Sequence, residues 1–177
     1  LVTSKDDLHN GDKVIIVGEA NNDSYPVMAE STEHSNKSVF ACKNEDESFS
    51  PVTGIKILIY EKNKKQNYYV FKNKDGKYLN GDGKPSYPNQ ILLNSTITKD
   101  CMLNISFSSI DYSAAVSFNN TSDRKIGYKN TYFNNYLIGN TPGKIWLYRK
   151  ISPPVLNEKD ENIDDVISGY IGTANVS

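Results

Sequence analysis

The stretch YYVFKNKDGKYLN, residues 68–80, decides the fold class. Its first four residues are the aromatic and β-branched types that favour a strand. Asp75-Gly76 follows in a short polar segment, and an Asp-Gly pair readily adopts the positive φ angles of a tight hairpin turn. The residues KYLN at 77–80 then predict the returning strand. This stretch therefore predicts a β-hairpin, and the rest of the chain repeats its pattern of short strands and polar turns.

Twelve short segments of this kind divide the chain into three similar units of four strands. The predicted strands are 14–17, 26–29, 39–43 and 55–60 in unit one, 68–72, 77–80, 90–94 and 103–108 in unit two, and 114–119, 125–129, 136–138 and 145–149 in unit three. A repeat of this length is a fold-level signal. We therefore predict an all-β, β-trefoil-like fold, and a β-sandwich or jelly roll with a similar number of strands is the alternative.

Length and charge limit the domain organisation and the classes of partner. The chain has 177 residues and a formal net charge of −1. A dedicated nucleic-acid binder normally carries a basic surplus, and a membrane-spanning helix needs about 20 apolar residues, so neither partner is expected. We predict one binding domain at 1–150. Pro153-Pro154 and the acidic run after it predict a linker or a docked tail at 151–177.

Recognised motifs of catalysis and metal binding are missing from the sequence. The two cysteines, Cys42 and Cys101, lack CxxC spacing, which excludes a zinc or thioredoxin-type site and leaves two buried free thiols or a disulfide. Neither GxSxG nor HExxH occurs. The segments 73–77 and 80–84 carry Asp, Asn and Gly but lack the spacing of a calcium-binding EF-hand. We predict no catalytic residues, no metal and no cofactor.

The tyrosines are the most informative side chains, since twelve occur in 177 residues. Two segments, 77–90 and 127–140, interleave Tyr with Asn and Asp. Tyr rings can stack on the C–H faces of sugars, and the amides and carboxylates can bind sugar hydroxyls. The candidate ligand-binding residues are Tyr78, Asn80, Asp82, Tyr87, Asn89, Tyr128, Asn130, Tyr132 and Asn134. In the alternative, Tyr78, Tyr128 and Tyr136 pack in the core and the Asn residues only form turns.

Four short elements carry a resemblance to a known kind of domain. They are LHNGDK at 8–13, GKYL at 76–79, IGYKN at 126–130 and LYR at 147–149. Over about residues 1–150 the chain resembles an accessory all-β domain that recurs in large secreted or cell-surface bacterial proteins. The resemblance implies a non-catalytic module with a trefoil-like fold. Lys129, between Tyr128 and Asn130, departs from the pattern and puts a shared ligand contact there in doubt.

Together these observations predict a non-catalytic, carbohydrate-binding module of a larger secreted or cell-surface protein. Its expected partners are a glycan or another cell-surface ligand and the other domains of the same protein. A protein-interaction or spacer domain is the alternative, favoured if the aromatic residues of 77–90 and 127–140 are buried. A small glycoside hydrolase is the third, and it requires two carboxylates about 5–9.5 Å apart across a cleft.

Overall fold

A computed structural model describes residues 1–30, 36–50, 52–83, 86–119 and 121–151. The fold is all-β and its strands pair antiparallel. The strands are β1 (Lys13–Gly18), β2 (Ser24–Met28), β3 (Ser38–Cys42), β4 (Leu58–Asn63), β5 (Tyr68–Lys72), β6 (Tyr78–Asn80), β7 (Leu92–Asn94), β8 (Leu103–Phe107), β9 (Ala114–Phe118), β10 (Arg124–Lys129), β11 (Tyr132–Leu137) and β12 (Ile145–Arg149). Short 3-10 helices lie at Lys5–Asp7, Lys99–Cys101 and Ile138–Asn140.

Ten of these strands belong to one sheet, and β10 and β11 form a separate hairpin. The sheet follows the order β7-β6-β5-β4-β1-β12-β9-β8, and β2 and β3 branch from β1. The first and last strands of units one and three are hydrogen-bonded neighbours, β1 with β4 and β9 with β12. In unit two β5 and β8 are in contact, but within the described residues the hydrogen-bonded path does not join them.

Alternation along the strands places one main core at the centre of the sheet. Each of the three units contributes fully buried apolar side chains, among them Ile16, Phe71, Phe118 and Leu147. A smaller apolar cluster is formed by β1, β2 and β3. In it Val17, Val27 and Ala41 pack with partly buried aromatic and aliphatic residues. Buried side chains from all three predicted units contact one another in the main core, so this core stabilises the units jointly.

The predicted strands occur close to their predicted positions. The hairpin at 68–80 is confirmed, since Lys72 pairs with Tyr78 and Gly76 has a φ of +77°. The largest differences are in β4, which lies three residues late at both ends, and in β11, which begins at Tyr132, four residues early; the starts of β2 and β7 differ by two residues. The all-β class is confirmed.

Cys42 and Cys101 are both free thiols. Cys101 is buried, as predicted, but the prediction that Cys42 is buried was wrong, because Cys42 lies on the exposed face of β3.

In the part of the chain that the structure describes, no helix has the length and apolar character to cross a membrane. The predicted linker or tail lies outside the described residues except for Ile151.

Candidate functional site

The candidate site is built on residues 81–83 and 86–91, the described parts of the segment between β6 and β7. Asn80 ends β6, and its side-chain Oδ1 accepts a hydrogen bond of 2.6 Å from the backbone N–H of Asp82. Gly81 packs directly on the ring of Phe118, where an added Cβ would lie 2.5 Å from a ring atom. The Gln90 N–H closes a turn on the Tyr87 carbonyl at 3.0 Å. Residues 87–90 therefore form a turn, and Gly81 lies against the core.

A polar network fastens this loop to the β10–β11 hairpin of unit three. The backbone N–H of Asn135 donates to the Asn89 carbonyl at 2.8 Å. The side-chain Nδ2 of Asn135, which is fully buried, donates to the Gly81 carbonyl at 3.4 Å and to Thr121 Oγ1 at 3.2 Å. Arg124 Nη1 donates to Asn89 Oδ1 and, at 3.0 Å, to the Asn135 carbonyl. Two separate units thus share one set of hydrogen bonds.

A shallow pocket lies where the loop meets the hairpin. Its volume is about 270 Å³, and Ser86, Tyr87, Pro88, Asn89, Gln90 and Asn134 line it. This volume is just below the range of about 300–1,000 Å³ that is common for small-molecule sites. The Tyr87 side chain is 54% exposed, which is high for an aromatic residue. The pocket therefore offers an aromatic surface beside several amides in a space suited to one small ligand.

Three of the nine predicted site residues, Tyr87, Asn89 and Asn134, come together at this pocket. They originate from both predicted segments, 77–90 and 127–140. Asn134 Oδ1 is buried and has no hydrogen-bond partner among the described residues. The structure therefore joins the two segments at one point.

The predicted residues near β6 lie apart from the pocket lining. Asn80 is buried, with 4% exposure, and its amide oxygen is used in the turn to Asp82. Asp82 is exposed in the loop, and Tyr78 is half-buried on β6, where it pairs with Lys72 and Asn94. As the alternative from sequence states, Asn80 forms a turn.

The remaining predicted residues lie at or near the tip of the β10–β11 hairpin. The ring of Tyr128 packs on Phe133 with centroids 4.8 Å apart. Asn130 occupies the tip with a φ of +51°, and Tyr132 is 38% exposed. Tyr136 is buried, and its hydroxyl donates to the Lys129 and Tyr132 carbonyls, both at 2.9 Å. Burial raises the pKa of Tyr136 above its usual value. The hairpin is therefore closed by contacts among its own residues, and none of them lines the pocket.

Sequence reasoning missed Arg124 and Gln90. Arg124 stands at the first position of β10 without an aromatic neighbour, so it carries no sugar-site signal of its own. Its contact with Asn89 spans 35 residues. Gln90 ended the predicted segment at 77–90, and its place next to Asn89 was the available signal.

A second cavity of about 290 Å³ lies between β8, β9 and the start of β12. Lys125 and Lys144 line it, together with serine and apolar residues. Lys144 is already paired with Asp111 at 2.7 Å, and Glu19 lies near enough to raise the pKa of Lys144 further. None of the nine predicted residues lines this cavity. Within the described residues, no group of three or more His, Cys, Asp or Glu side chains could hold a metal ion.

Comparison with known proteins gives a likeness to solved structures. No family model matches the chain, and no curated protein matches it. Among solved structures, the chain is similar to a GlcNAcα1-4Gal-releasing endo-β-galactosidase from Clostridium perfringens, with 13% sequence identity and a TM-score of 0.52. The match covers 79% of this chain but only 33% of that enzyme, so this chain corresponds to about a third of its length. A likeness at this identity concerns the fold alone.

Proposed function

We propose that the chain is a non-catalytic carbohydrate-binding module and that the pocket at Tyr87, Asn89 and Asn134 is its glycan site. The observation that carries the proposal is the meeting of these residues, from two distant Tyr- and Asn-rich segments, in one pocket. As far as the structure describes it, the lining includes no carboxylate. Hydrolysis of a glycosidic bond ordinarily needs two. The lining therefore supports binding rather than hydrolysis.

Tyr87 supplies the main contact surface in this proposal. Tyr87 is 54% exposed, although the turn that carries it is closed by the bond from the Gln90 N–H to the Tyr87 carbonyl. An exposed ring on a fixed loop loses little conformational freedom when a ligand stacks on it. Asn89 and Asn134 lie beside the ring to bind hydroxyl or carbonyl groups of the sugar. This combination suits a shallow site with a Kd of about 10–1,000 µM.

We further propose that the twelve strands form a β-trefoil of three quasi-equivalent units. In each unit the first strand lies next to the last one, which supports this arrangement. The neighbouring pairs are β1 with β4, β5 with β8, and β9 with β12. The hairpins β2–β3, β6–β7 and β10–β11 occupy equivalent places in the three units. In this arrangement the glycan site belongs to the long β6–β7 loop of unit two and to the neighbouring hairpin of unit three.

Two further observations support a carbohydrate-related role and a place beside other domains in a larger protein. The similar region belongs to an enzyme that releases GlcNAcα1-4Gal, which makes that disaccharide a reasonable first probe. The four elements at 8–13, 76–79, 126–130 and 147–149 resemble accessory domains of large secreted or cell-surface proteins. We therefore propose a module that works beside other domains in such a protein, where several weak sites gain strength through multivalency.

The test is a glycan array that includes GlcNAcα1-4Gal, probed with the full chain and two tyrosine variants. We expect the wild type to bind and Tyr87→Ala to weaken binding by about tenfold or more, in line with the loss of one aromatic contact. Tyr132→Ala is the matched control, because Tyr132 is also exposed but does not line the pocket. It should bind within about threefold of wild type.

Each result bears on the proposal. If the wild type binds no glycan, the carbohydrate function is wrong and a protein-interaction or spacer role is favoured. If Tyr132→Ala loses binding while Tyr87→Ala keeps it, the glycan site lies at the hairpin tip instead of the pocket.

A further inference from the structure

Arg124 lies next to the pocket and bonds to Asn89, one of the residues that line it. It is half-buried at the start of β10 and does not line the pocket. Its Nη1 donates both to Asn89 Oδ1 in the loop and to the Asn135 carbonyl in the hairpin. No ion pair of Arg124 occurs with any acidic side chain in the described ranges. The guanidinium of Arg124 therefore connects Asn89 in the loop with Asn135 in the hairpin.

The bond to Asn89 Oδ1 also fixes the orientation of that amide. An Asn side chain has an oxygen that accepts and an NH₂ group that donates. Because the guanidinium fills one acceptor position of the oxygen and fixes the direction of the amide, the NH₂ group is the donor of Asn89 that remains for a ligand. The Asn89 backbone is fixed as well, since its carbonyl accepts from the Asn135 N–H at 2.8 Å.

We infer that Arg124 is a positioning residue that fixes the loop at 86–90 in its ligand-ready form and turns the Asn89 NH₂ toward an acceptor oxygen of the glycan. The second half of this inference rests on the proposed function. A pocket that is already ordered avoids the cost of ordering its loop on binding. A hydroxyl or carbonyl oxygen of the sugar then receives a hydrogen bond from a donor of fixed direction, which selects ligands with an acceptor at that place.

The first test measures the loop without a ligand, by amide hydrogen exchange of the full chain. Arg124→Met should speed the exchange of the Asn135 and Gln90 amides by about tenfold, because both lie in the connected loop and hairpin. The Tyr60 amide, which bonds to the Asp12 carbonyl in unit one, is the internal reference. Lys125→Met removes a neighbouring cation and should change neither amide. Unchanged exchange in Arg124→Met would overturn the holding role.

The second test separates positioning from structure by using Asn89→Asp. The new carboxylate still accepts from Arg124 and strengthens that contact, but it has no NH₂ donor. We expect unchanged or slower exchange at Asn135 together with about a tenfold loss of affinity for the array glycan that the wild type binds best, beginning with GlcNAcα1-4Gal. Arg124→Lys, which keeps one donor group, should restore part of the affinity lost in Arg124→Met.

The outcomes are distinguishable from failure of the proposed function. If Asn89→Asp binds like the wild type, the Asn89 NH₂ is not a ligand contact. If the wild type binds no glycan at all, the proposed function and the role of Asn89 fall together, and the exchange measurements alone decide whether Arg124 holds the loop.

Discussion

Lys56 is the residue whose surroundings conflict most with its chemistry. Its side chain is 1% exposed, and its ammonium group donates to Asn36 Oδ1 at 3.4 Å. Burial lowers the pKa of Lys56 to about 8, against the smaller opposing effect of Glu30. A buried charge is costly unless it is compensated. Lys56 therefore makes the stability of the fold depend on pH in the alkaline range.

We predict that Lys56→Met stabilises the protein at pH 7. With a pKa near 8 in the folded chain and 10.5 in the unfolded chain, the unfolded chain binds more protons between these values, so wild-type stability rises with pH there. Below pH 8 the buried ammonium of Lys56 is charged and lowers the free energy of unfolding by its full amount, at most about 3 kcal/mol. After loss of the bond to Asn36 and of the further interaction that Lys56 makes, we expect a gain of about 1–2 kcal/mol in urea unfolding at pH 7, and a smaller gain at pH 9.5.

Lys65→Met is the control for this change, because Lys65 is an exposed lysine in the β4–β5 turn. It should alter the free energy of unfolding by less than about 0.5 kcal/mol at both pH values. A Lys56→Met variant with no gain at pH 7, or with a gain that grows at pH 9.5, would contradict the role given to burial.

At the scale of elements, the tip of the β10–β11 hairpin has an unusual backbone. Asn130 and Thr131 form a two-residue turn between the paired residues Lys129 and Tyr132, with φ angles of +51° and +72°. Asn tolerates this region, but a β-branched residue such as Thr is a true outlier there. The hairpin therefore contains local strain that its pairing and its contacts with unit one overcome, including the bond from Ser38 Oγ to the Thr131 carbonyl at 3.2 Å.

Replacing Thr131 by glycine should relieve this strain. We predict that Thr131→Gly raises the free energy of unfolding by about 0.5–1.5 kcal/mol, since Asn-Gly is the favoured pair for such turns and glycine has no Cβ to clash. The bond from Ser38 uses the backbone and is retained. Thr53→Gly is the control, because Thr53 is exposed and its φ is not positive. It should lose stability or stay unchanged, and a loss in Thr131→Gly would refute the prediction.

The same hairpin explains how far the sequence predicts the elements and the site. Strands made of consecutive aromatic and β-branched residues, such as β5, could be predicted to the residue. The start of β11 could not, because the turn at Asn130-Thr131 lacks glycine and because Asn134-Asn135 interrupts the apolar pattern. Asn135 is nonetheless buried, since its polar groups bond to the loop at 81–91. Tyr87 and Asn89 could be proposed from local composition, whereas the Arg124 contact depends on the tertiary fold.

At the scale of the whole molecule, the proposed site depends on packing between units. The loop of unit two and the hairpin of unit three each supply part of the pocket. Buried side chains from all three units form the main core. A site that is shared in this way keeps its geometry only while the units stay together. The units should therefore unfold as one cooperative structure rather than separately.

Leu79→Ala tests this cooperativity across units. Leu79 lies on β6 in unit two with 1% exposure, and its truncation should cost about 2–4 kcal/mol. Trp146, the only tryptophan, lies on β12 in unit three and reports that unit by fluorescence. We expect its unfolding midpoint in urea to fall together with the midpoint from circular dichroism, in a single transition. Ile110→Ala, at a side chain that is 92% exposed, should leave both midpoints in place. A Trp146 midpoint unmoved by Leu79→Ala would mean that unit three unfolds independently, and a pocket shared between units would then lack a stable frame.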